Sequence, residues 1–103
     1  MSFETTALVR FAHVDGAGIV FFPRYFEMLN AAVEDWCAKR LGTDFRTMHF
    51  DRGIGVPTVD LHAEFLSPCI LGDDLTVRIT PRQVGRTSCT YEAVFTGEGR
   101  DRV

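Results

Sequence analysis

The chain has 103 residues, of which 46% are hydrophobic and 24% are charged, and its formal net charge is −3. This is the ordinary mixture of one soluble globular domain near the low end of the common size range. No stretch approaches the roughly 20 apolar residues that a membrane-spanning helix needs, and an acidic chain argues against general nucleic-acid binding. The three cysteines match no paired spacing and the N-terminus does not resemble a signal peptide, so we expect free thiols in a cytoplasmic protein.

The first two predicted elements are a short strand and a long helix. The strand is Thr6–Phe11, TALVRF, which is rich in β-forming residues. From Pro23, apolar residues recur with the helical period and predict an amphipathic helix of about 18 residues. Pro23 fits its first turn, and Gly42 lies just past its end. The stripe expected to face the core comprises Tyr25, Phe26, Leu29, Ala32, Val33, Trp36, Cys37 and Leu41.

A run of strands follows a predicted loop over residues 43–57. The strands cover residues 58–66, 74–80 and 87–96, and the last two are separated by a predicted turn at 81–86. Helix and strands are not interleaved, so we predict an α+β fold, a single domain over residues 1–103 with the helix packed on an antiparallel sheet. The alternating residues expected to face inward are Val59, Leu61, Ala63, Phe65, Leu75, Val77 and Ile79.

The segment before the helix carries a candidate reactive group, Asp15, next to Gly16 and Gly18. No Ser, Thr, Asp or Asn stands at the helix start, so its first amides lack a local capping partner and could receive an external carbonyl oxygen. A carboxylate beside such amides suits acyl transfer, because the acid attacks or activates water while the amides hold the oxyanion. Spacing alone leaves the alternatives open: Asp-Gly is also ordinary turn chemistry, and water can satisfy free amides.

The segment DGAGIVFFPRYF, from Asp15 to Phe26, resembles the signature of the hotdog-fold thioesterases. The group it resembles is that of 4-hydroxybenzoyl-CoA thioesterase and the YbgC-like acyl-CoA thioesterases. The resemblance continues through the helix to Trp36, through GVPTVDLHAEFLSPCILGDDL, and into the Thr-Ser pair after Arg86. It implies a hotdog fold, in which an antiparallel sheet wraps one long helix, and a homodimer or homotetramer with active sites at the subunit interface.

The resemblance also implies roles for individual residues. Asp15 corresponds to the catalytic carboxylate, either as nucleophile or as base on water, and the backbone amide of Phe22 would polarise the thioester carbonyl. Gly18 would let the substrate approach the backbone closely, and Asn30 would lie towards the acyl pocket. The substrate would be an acyl-coenzyme A, with no further cofactor and no metal.

Arginines are concentrated in the last quarter of the chain. Residues 78–103 hold five arginines against three acids, whereas residues 1–77 hold six basic and eleven acidic residues. From the residues alone this cluster is either a solvated strand face or a site for a phosphorylated ligand, since guanidinium groups suit phosphate oxygens. The family resemblance assigns Arg82 and Arg86 to the phosphates of coenzyme A.

Three further expectations concern alternatives and the chain's extent. The histidines at 13, 49 and 62 match no metal-ligand spacing. A hotdog hydratase or dehydratase is the alternative enzyme, although the helix offers no histidine, and a non-catalytic acyl-CoA-binding module is the alternative outside enzymes. GEGRDRV is a turn signal, and a strand is expected to begin near Val103. We therefore expect the domain to continue with a C-terminal strand, without which the sheet would carry unpaired edges.

Overall fold

The computed structural model describes residues 2–103, in which one long helix packs against an antiparallel sheet. The helix is α1 (Pro23–Arg40), and the strands are β1 (Phe3–Leu8), β2 (Asp74–Val84), β3 (Cys89–Gly97) and β4 (Arg100–Asp101). The strands lie in the order β1-β2-β3-β4, and each pair of neighbours is antiparallel. The predicted α+β architecture is confirmed. No helix within the described range has both the length and the apolar composition to cross a membrane.

Helix α1 begins and ends where its local signals predict. Pro23 is its first residue, where the missing N–H of proline costs no hydrogen bond. At the other end the Leu41 N–H donates to the Cys37 carbonyl at 3.2 Å, and the chain then turns at Gly42. Leu41 is exposed, so the prediction that it faces the core is wrong. Met28 is buried, although the predicted stripe does not include it. The buried face consists of Tyr25, Met28, Ala32, Val33 and Cys37.

The core lies between this face of α1 and the inner face of the sheet. Leu75, Val77 and Ile79 of β2 have no exposed surface, which confirms the predicted alternation of that strand. Burying a side chain of this type contributes about 1.5–3 kcal/mol relative to leaving it exposed. The rest of the core cluster comprises Phe3, Val9, Val20, Tyr25, Met28, Ala32, Val33, Cys37, Met48, Cys69 and Phe95.

The first predicted strand and the predicted loop have wrong boundaries. β1 covers Phe3–Leu8 instead of Thr6–Phe11, because Phe11–His13 form a 3₁₀ turn in which His13 Nδ1 accepts the Arg10 N–H at 2.9 Å. The predicted loop at 43–57 contains a helical turn at Thr47–Asp51. Asp44 stabilises that turn, since its Oδ1 accepts the Thr47 N–H at 2.7 Å.

The hairpin between β2 and β3 is longer than predicted. β2 continues through Val84, where the sequence predicts a turn, because a register shift between Pro81 and Gln83 accommodates the proline within the ladder. The turn itself is closed by the Gly85 N–H, which donates to the Ser88 carbonyl at 2.8 Å. β3 accordingly begins at Cys89.

The predicted strand at residues 58–66 is not a strand in this structure. No strand within residues 2–103 pairs with it; only the Leu66 N–H reaches the sheet, donating to the Arg102 carbonyl at 2.8 Å. Val59, expected to face inward, is 90% exposed, and Phe65 is 50% exposed. The prediction fails because alternating apolar and polar residues indicate that one face is apolar, but they do not identify a neighbouring strand that would pair with the segment. We refer to residues 58–66 as the extended segment.

Candidate active site

A tight hairpin over residues 13–21 carries Asp15 to the start of α1. Val14 and Val20 are bridged, and the Phe21 N–H donates to the His13 carbonyl at 2.9 Å. The turn is closed by the Gly18 N–H, which donates to the Asp15 carbonyl at 2.9 Å. Gly18 has φ +81°, a conformation in which a side chain is strained. The position therefore requires glycine for a structural reason.

The Asp15 carboxylate is exposed at the tip of this hairpin. Its Oδ1 accepts the Ala17 N–H at 2.9 Å, as in a turn stabilised by an aspartate side chain. Within residues 2–103 no hydrogen bond or ion pair involves Oδ2. One oxygen therefore fixes the orientation of the carboxylate, and the other is available to an external group.

The helix start offers a single free backbone donor, the Phe22 N–H. Phe22 has helical φ and ψ of −53° and −36°, and no side chain caps the helix. Pro23 has no N–H, while the N–H groups of Arg24 and Tyr25 donate to the Phe21 and Phe22 carbonyls at 2.8 and 3.2 Å. Within the described part of the chain the Phe22 N–H donates to no acceptor. It lies at the positive end of the helix dipole, where a developing negative charge is stabilised.

The hairpin connects the carboxylate to this amide through a short stretch of chain. The Asp15 N–H donates to the Ile19 carbonyl at 3.0 Å, so these two residues lie opposite each other. Phe22 is three residues further along, which corresponds to about 10 Å of extended chain. The two groups therefore lie on one continuous segment that runs from the hairpin into α1.

Aromatic rings surround the first turn of α1. The Phe65 ring centroid lies 6.0 Å from that of Phe22, 5.9 Å from that of Tyr25 and 6.3 Å from that of Phe26. Phe22 is 55% exposed, and Phe65 is half exposed. We call these four residues the aromatic cluster. Sequence analysis missed this site, because it assigned Phe65 to the buried face of a strand and the helix aromatics to the core; the only available signal was their shared apolar character.

The sequence model of the Thioesterase superfamily matches residues 17–103, which is most of the chain. The chain belongs to the thioesterase superfamily. The matched range begins two residues after Asp15.

Named relatives and solved structures also resemble this chain. A 1,4-dihydroxy-2-naphthoyl-CoA hydrolase from Thermosynechococcus vestitus is 35% identical over 95 residues, which cover 92% of this chain and 64% of the hydrolase. The chain thus spans less than two-thirds of that relative's length. The structure of gentisyl-coenzyme A thioesterase is 28% identical with a TM-score of 0.87, covering 96% of this chain and 80% of the other.

An aspartate-to-asparagine variant of 4-hydroxybenzoyl-CoA thioesterase, solved in complex with 4-hydroxybenzoyl-CoA, has the same TM-score of 0.87 at 25% identity. The match covers 98% of this chain and 75% of that one. These likenesses, with one long helix packed on an antiparallel sheet, confirm the predicted hotdog fold.

Asn30 lies on the helix flank that carries part of the aromatic cluster. It is exposed, and its side chain makes no hydrogen bond within residues 2–103. Residues four apart share a helix face, so Phe22, Phe26 and Asn30 form one row along α1. Asn30 is eight residues from Phe22, or about 12 Å along the helix axis. This superfamily member therefore presents an aromatic row that ends in a free amide group.

The two arginines assigned to coenzyme A lie at the opposite end of the sheet from Asp15. The Asp15 hairpin lies beside the residues that precede β2, since Ile19 is bridged to Ile70. Arg86 is exposed beyond the other end of β2, an 11-residue strand of about 35 Å. The Arg82 guanidinium donates to the Glu92 carboxylate at 2.6 Å. One copy of the chain does not bring these arginines to its own Asp15.

The structure shows no candidate metal centre. Within residues 2–103, no group of three or more His, Cys, Asp or Glu side chains has the geometry to hold a metal ion. His13, the histidine nearest to Asp15 in sequence, uses Nδ1 to accept the Arg10 N–H, so its neutral form carries the proton on Nε2. Its role in the geometry is to stabilise the 3₁₀ turn.

Proposed function

We propose that this chain forms the catalytic unit of an acyl-CoA thioesterase that prefers aromatic acyl groups. The observation that carries this proposal is the segment in which the hairpin joins α1. There, within residues 2–103, neither Asp15 Oδ2 nor the Phe22 N–H makes a hydrogen bond. Membership of the thioesterase superfamily supports the same chemistry.

In the proposed reaction, the thioester carbonyl oxygen accepts a hydrogen bond from the Phe22 N–H. As the tetrahedral intermediate forms, negative charge accumulates on that oxygen and is stabilised by the amide and by the helix dipole. The C–S bond then breaks and coenzyme A leaves as a thiolate, which is a good leaving group and needs little help from a general acid. The products are the free acid and coenzyme A.

Asp15 acts in one of two ways. As a nucleophile, its Oδ2 attacks the carbonyl carbon, the thiolate leaves, and water hydrolyses the resulting mixed anhydride. As a general base, it accepts a proton from a water molecule whose oxygen attacks the carbonyl carbon directly. Both routes consume one water and regenerate the carboxylate. They differ in whether a covalent bond to Asp15 ever forms.

The preference for an aromatic acyl group is supported by the aromatic cluster and by the relatives. Exposed rings beside the Phe22 N–H offer edge-to-face and offset contacts to a substrate ring. The relatives compared above are named for naphthoyl, gentisyl and hydroxybenzoyl thioesters. Asn30, at the end of the aromatic row, would donate to or accept from a polar ring substituent.

We further propose that two copies of the chain complete each site. Arg82 and Arg86 lie a sheet length from Asp15 of the same copy, so the phosphates of coenzyme A would be bound by the arginines of the second copy. The extended segment supports association, because Val59, Leu61 and Leu66 are largely exposed and apolar surface of this kind favours burial against another protein. The proposed enzyme uses neither a metal nor a cofactor besides its substrate.

The proposal is tested by thioester hydrolysis with the Asp15→Asn variant. Thiol release from a panel of CoA thioesters, from short aliphatic to aromatic, should be fastest for the aromatic members in the wild type. Asp15→Asn should lower kcat by about 100-fold or more, since proton transfer alone contributes about 100- to 10,000-fold. Asp51→Asn is the matched control, because Asp51 is exposed and its side chain makes no hydrogen bond within the described residues.

Two results would contradict the assignment. Wild-type chain that binds acyl-CoA without turnover would be a binding module, and unchanged turnover in Asp15→Asn would remove the role of Asp15. Turnover in ¹⁸O-labelled water, followed by mass spectrometry of the Asp15 peptide, detects the mixed anhydride when water attacks the Asp15 carboxyl carbon of that intermediate. Only the mixed anhydride allows the label to enter Asp15.

A further inference from the structure

Arg102 is the one buried polar or charged residue among residues 2–103, with 4% of its surface exposed. Burying a guanidinium group is unfavourable unless its N–H groups are hydrogen-bonded. Arg102 Nη1 donates to the Pro68 carbonyl at 2.7 Å, and Nε donates to the Gly97 carbonyl at 3.2 Å. Within residues 2–103 the acid that pairs with Arg102 is Glu98, which is 3.8 Å away and largely exposed, so the ion pair contributes little. The side chain is thus held by carbonyl oxygens of two separate segments.

The backbone of Arg102 holds the same two segments together. Its N–H donates to the Phe95 carbonyl of β3 at 2.7 Å, and its carbonyl accepts the N–H groups of Leu66 and Ser67 at 2.8 and 3.2 Å. Arg102 Nη1 also lies 3.4 Å from the Ser67 hydroxyl. Within residues 2–103, Arg102 therefore joins residues 66–68 to the sheet through both its backbone and its side chain.

These residues lead directly into the candidate active site. Phe65, which immediately precedes them, packs on the Phe22 ring. Cys69, which follows them, is completely buried, and its carbonyl accepts the Val20 N–H of the Asp15 hairpin at 2.9 Å. Burial, and after it the interaction with the Cys69 side chain, raises the pKa of the Tyr25 hydroxyl well above its ordinary value. Both the hairpin and the first turn of α1 are thus packed against the segment that Arg102 holds.

Gly97 shows how little freedom Arg102 has. A Cβ atom at position 97 would lie 2.9 Å from Leu75 Cδ2 and 3.4 Å from Arg102 Nε. Leu75 has no exposed surface and cannot move aside freely. A side chain at position 97 would therefore crowd Leu75 first and Arg102 with it, so the packing of these three residues depends on glycine.

We propose that Arg102 is a positioning residue for the active site, which acts by fixing residues 66–68 and through them the Phe65 ring and the Asp15 hairpin. Arg102 does not contact the substrate. This inference rests on the proposed thioesterase function, and it adds a residue about 80 positions away in sequence from the hairpin that it orients.

The test compares Arg102→Met with Arg100→Met in the full chain. Arg100 is the matched control, because it lies in β4 two residues before Arg102, is exposed and makes no side-chain hydrogen bond or ion pair within residues 2–103. Values of kcat and KM are measured for one aromatic and one aliphatic CoA thioester, well below the melting temperature of the least stable variant. Arg102→Met should lower kcat/KM for the aromatic substrate by about 10- to 100-fold, since a displacement of about 1 Å costs up to about 100-fold.

Selectivity is the readout that a purely structural role would not change. Misplacing Phe65 should reduce the ratio of aromatic to aliphatic kcat/KM, whereas Arg100→Met should leave it unchanged. A lower melting temperature with unchanged kcat and unchanged selectivity in Arg102→Met would show that Arg102 serves stability alone. If the wild type hydrolyses no CoA thioester, the proposed function is wrong; if it does and both variants behave alike, only the positioning role is wrong.

Two further variants decide the question if Arg102→Met does not fold. Arg102→Lys retains a buried cation that can reach one carbonyl, so it should recover part of the selectivity. Gly97→Ala keeps the guanidinium and crowds both Leu75 Cδ2 and Arg102 Nε, at 2.9 and 3.4 Å, so it should lower the selectivity ratio in the same direction as Arg102→Met. Wild-type selectivity in folded Gly97→Ala and folded Arg102→Lys would overturn the proposal.

Discussion

The role proposed for the Phe22 N–H can be tested by replacing Phe22 with proline, which removes this hydrogen-bond donor and leaves the chain continuous. The backbone accepts the change, because φ of Phe22 is −53°, within the range that a proline ring imposes. The N–H that is lost donates to no acceptor within residues 2–103, so its removal breaks no folding contact in the described part of the chain. Phe21, which would then precede a proline, pairs with His13 in the hairpin and suits the extended conformation favoured at that position.

The expected effect on catalysis follows from the loss of one oxyanion donor, which typically lowers kcat by about 100- to 1000-fold. The substitution also removes the Phe22 ring, which packs on Phe21 and Phe65 at centroid distances of 5.6 and 6.0 Å. Aromatic pairs of this kind contribute about 0.5–1.5 kcal/mol each. Phe22→Ala removes the same ring and keeps the N–H, so the ratio of the two variants isolates the donor.

The assay measures kcat for hydrolysis of an aromatic CoA thioester by the wild type, Phe22→Ala and Phe22→Pro, with circular dichroism and thermal melting as checks of folding. We expect kcat of Phe22→Pro to be at least about 100-fold lower than kcat of Phe22→Ala, in keeping with the cost of losing one oxyanion donor. Equal kcat values in two folded variants would refute the assignment of the Phe22 N–H. If the proline variant does not fold, an amide-to-ester replacement at residue 22 removes the same donor and keeps the ring.

Two further predictions concern the turn and the short helix. Gly18→Ala should lower the free energy of unfolding by about 1–2 kcal/mol, because φ of Gly18 is +81°. Gly16→Ala is the control: a Cβ has open space at both positions, but Gly16 has no positive φ, so this variant should not be destabilised. Equal melting temperatures of the two variants would contradict this prediction. The Thr47 N–H lowers the pKa of the Asp44 carboxyl, so the stability that this group contributes is present above its ordinary pKa of 3.8 and is lost as pH falls through the lowered value. Asp44→Asn should therefore reduce the fall in melting temperature between neutral and acidic pH, whereas the control Asp51→Asn should not. If both variants show the same fall as the wild type, the Asp44 cap contributes nothing to stability.

The elements that sequence analysis predicted correctly are those whose signals are local. The bounds of α1 follow from Pro23 and from the turn at Gly42, and the buried face of β2 follows from alternation within seven residues. The local geometry at Asp15 and Phe22 is equally visible in the sequence, because an Asp-Gly turn and a helix start without a capping side chain both lie within one short segment, whereas their catalytic roles stay predictions. Residues that depend only on their neighbours in sequence can be found without a structure.

The rest of the site depends on contacts between distant segments. Phe65 lies 43 residues after Phe22, and nothing in the extended segment indicates which helix turn its ring contacts. Arg102 stands in a stretch that sequence analysis assigns to a turn, and its burial follows only from the carbonyl oxygens of Pro68 and Gly97. Alternating residues in the extended segment correctly separate apolar from polar side chains. They wrongly predict a paired strand, because strand pairing depends on tertiary contacts.

The exposed apolar residues of this chain and its proposed chemistry have a common explanation. An N–H group open to water is a weak oxyanion donor, because water competes for the same hydrogen bond and the high dielectric reduces its field. The Phe22 N–H gains strength if a surface covers the exposed rings of Phe22 and Phe65 and the exposed apolar side chains of the extended segment. A second copy of the chain would supply such a surface and would bring the distant arginines to the site. In a single chain the exposed apolar side chains only contact water, whereas in the proposed two-copy site they would exclude water from the Phe22 N–H.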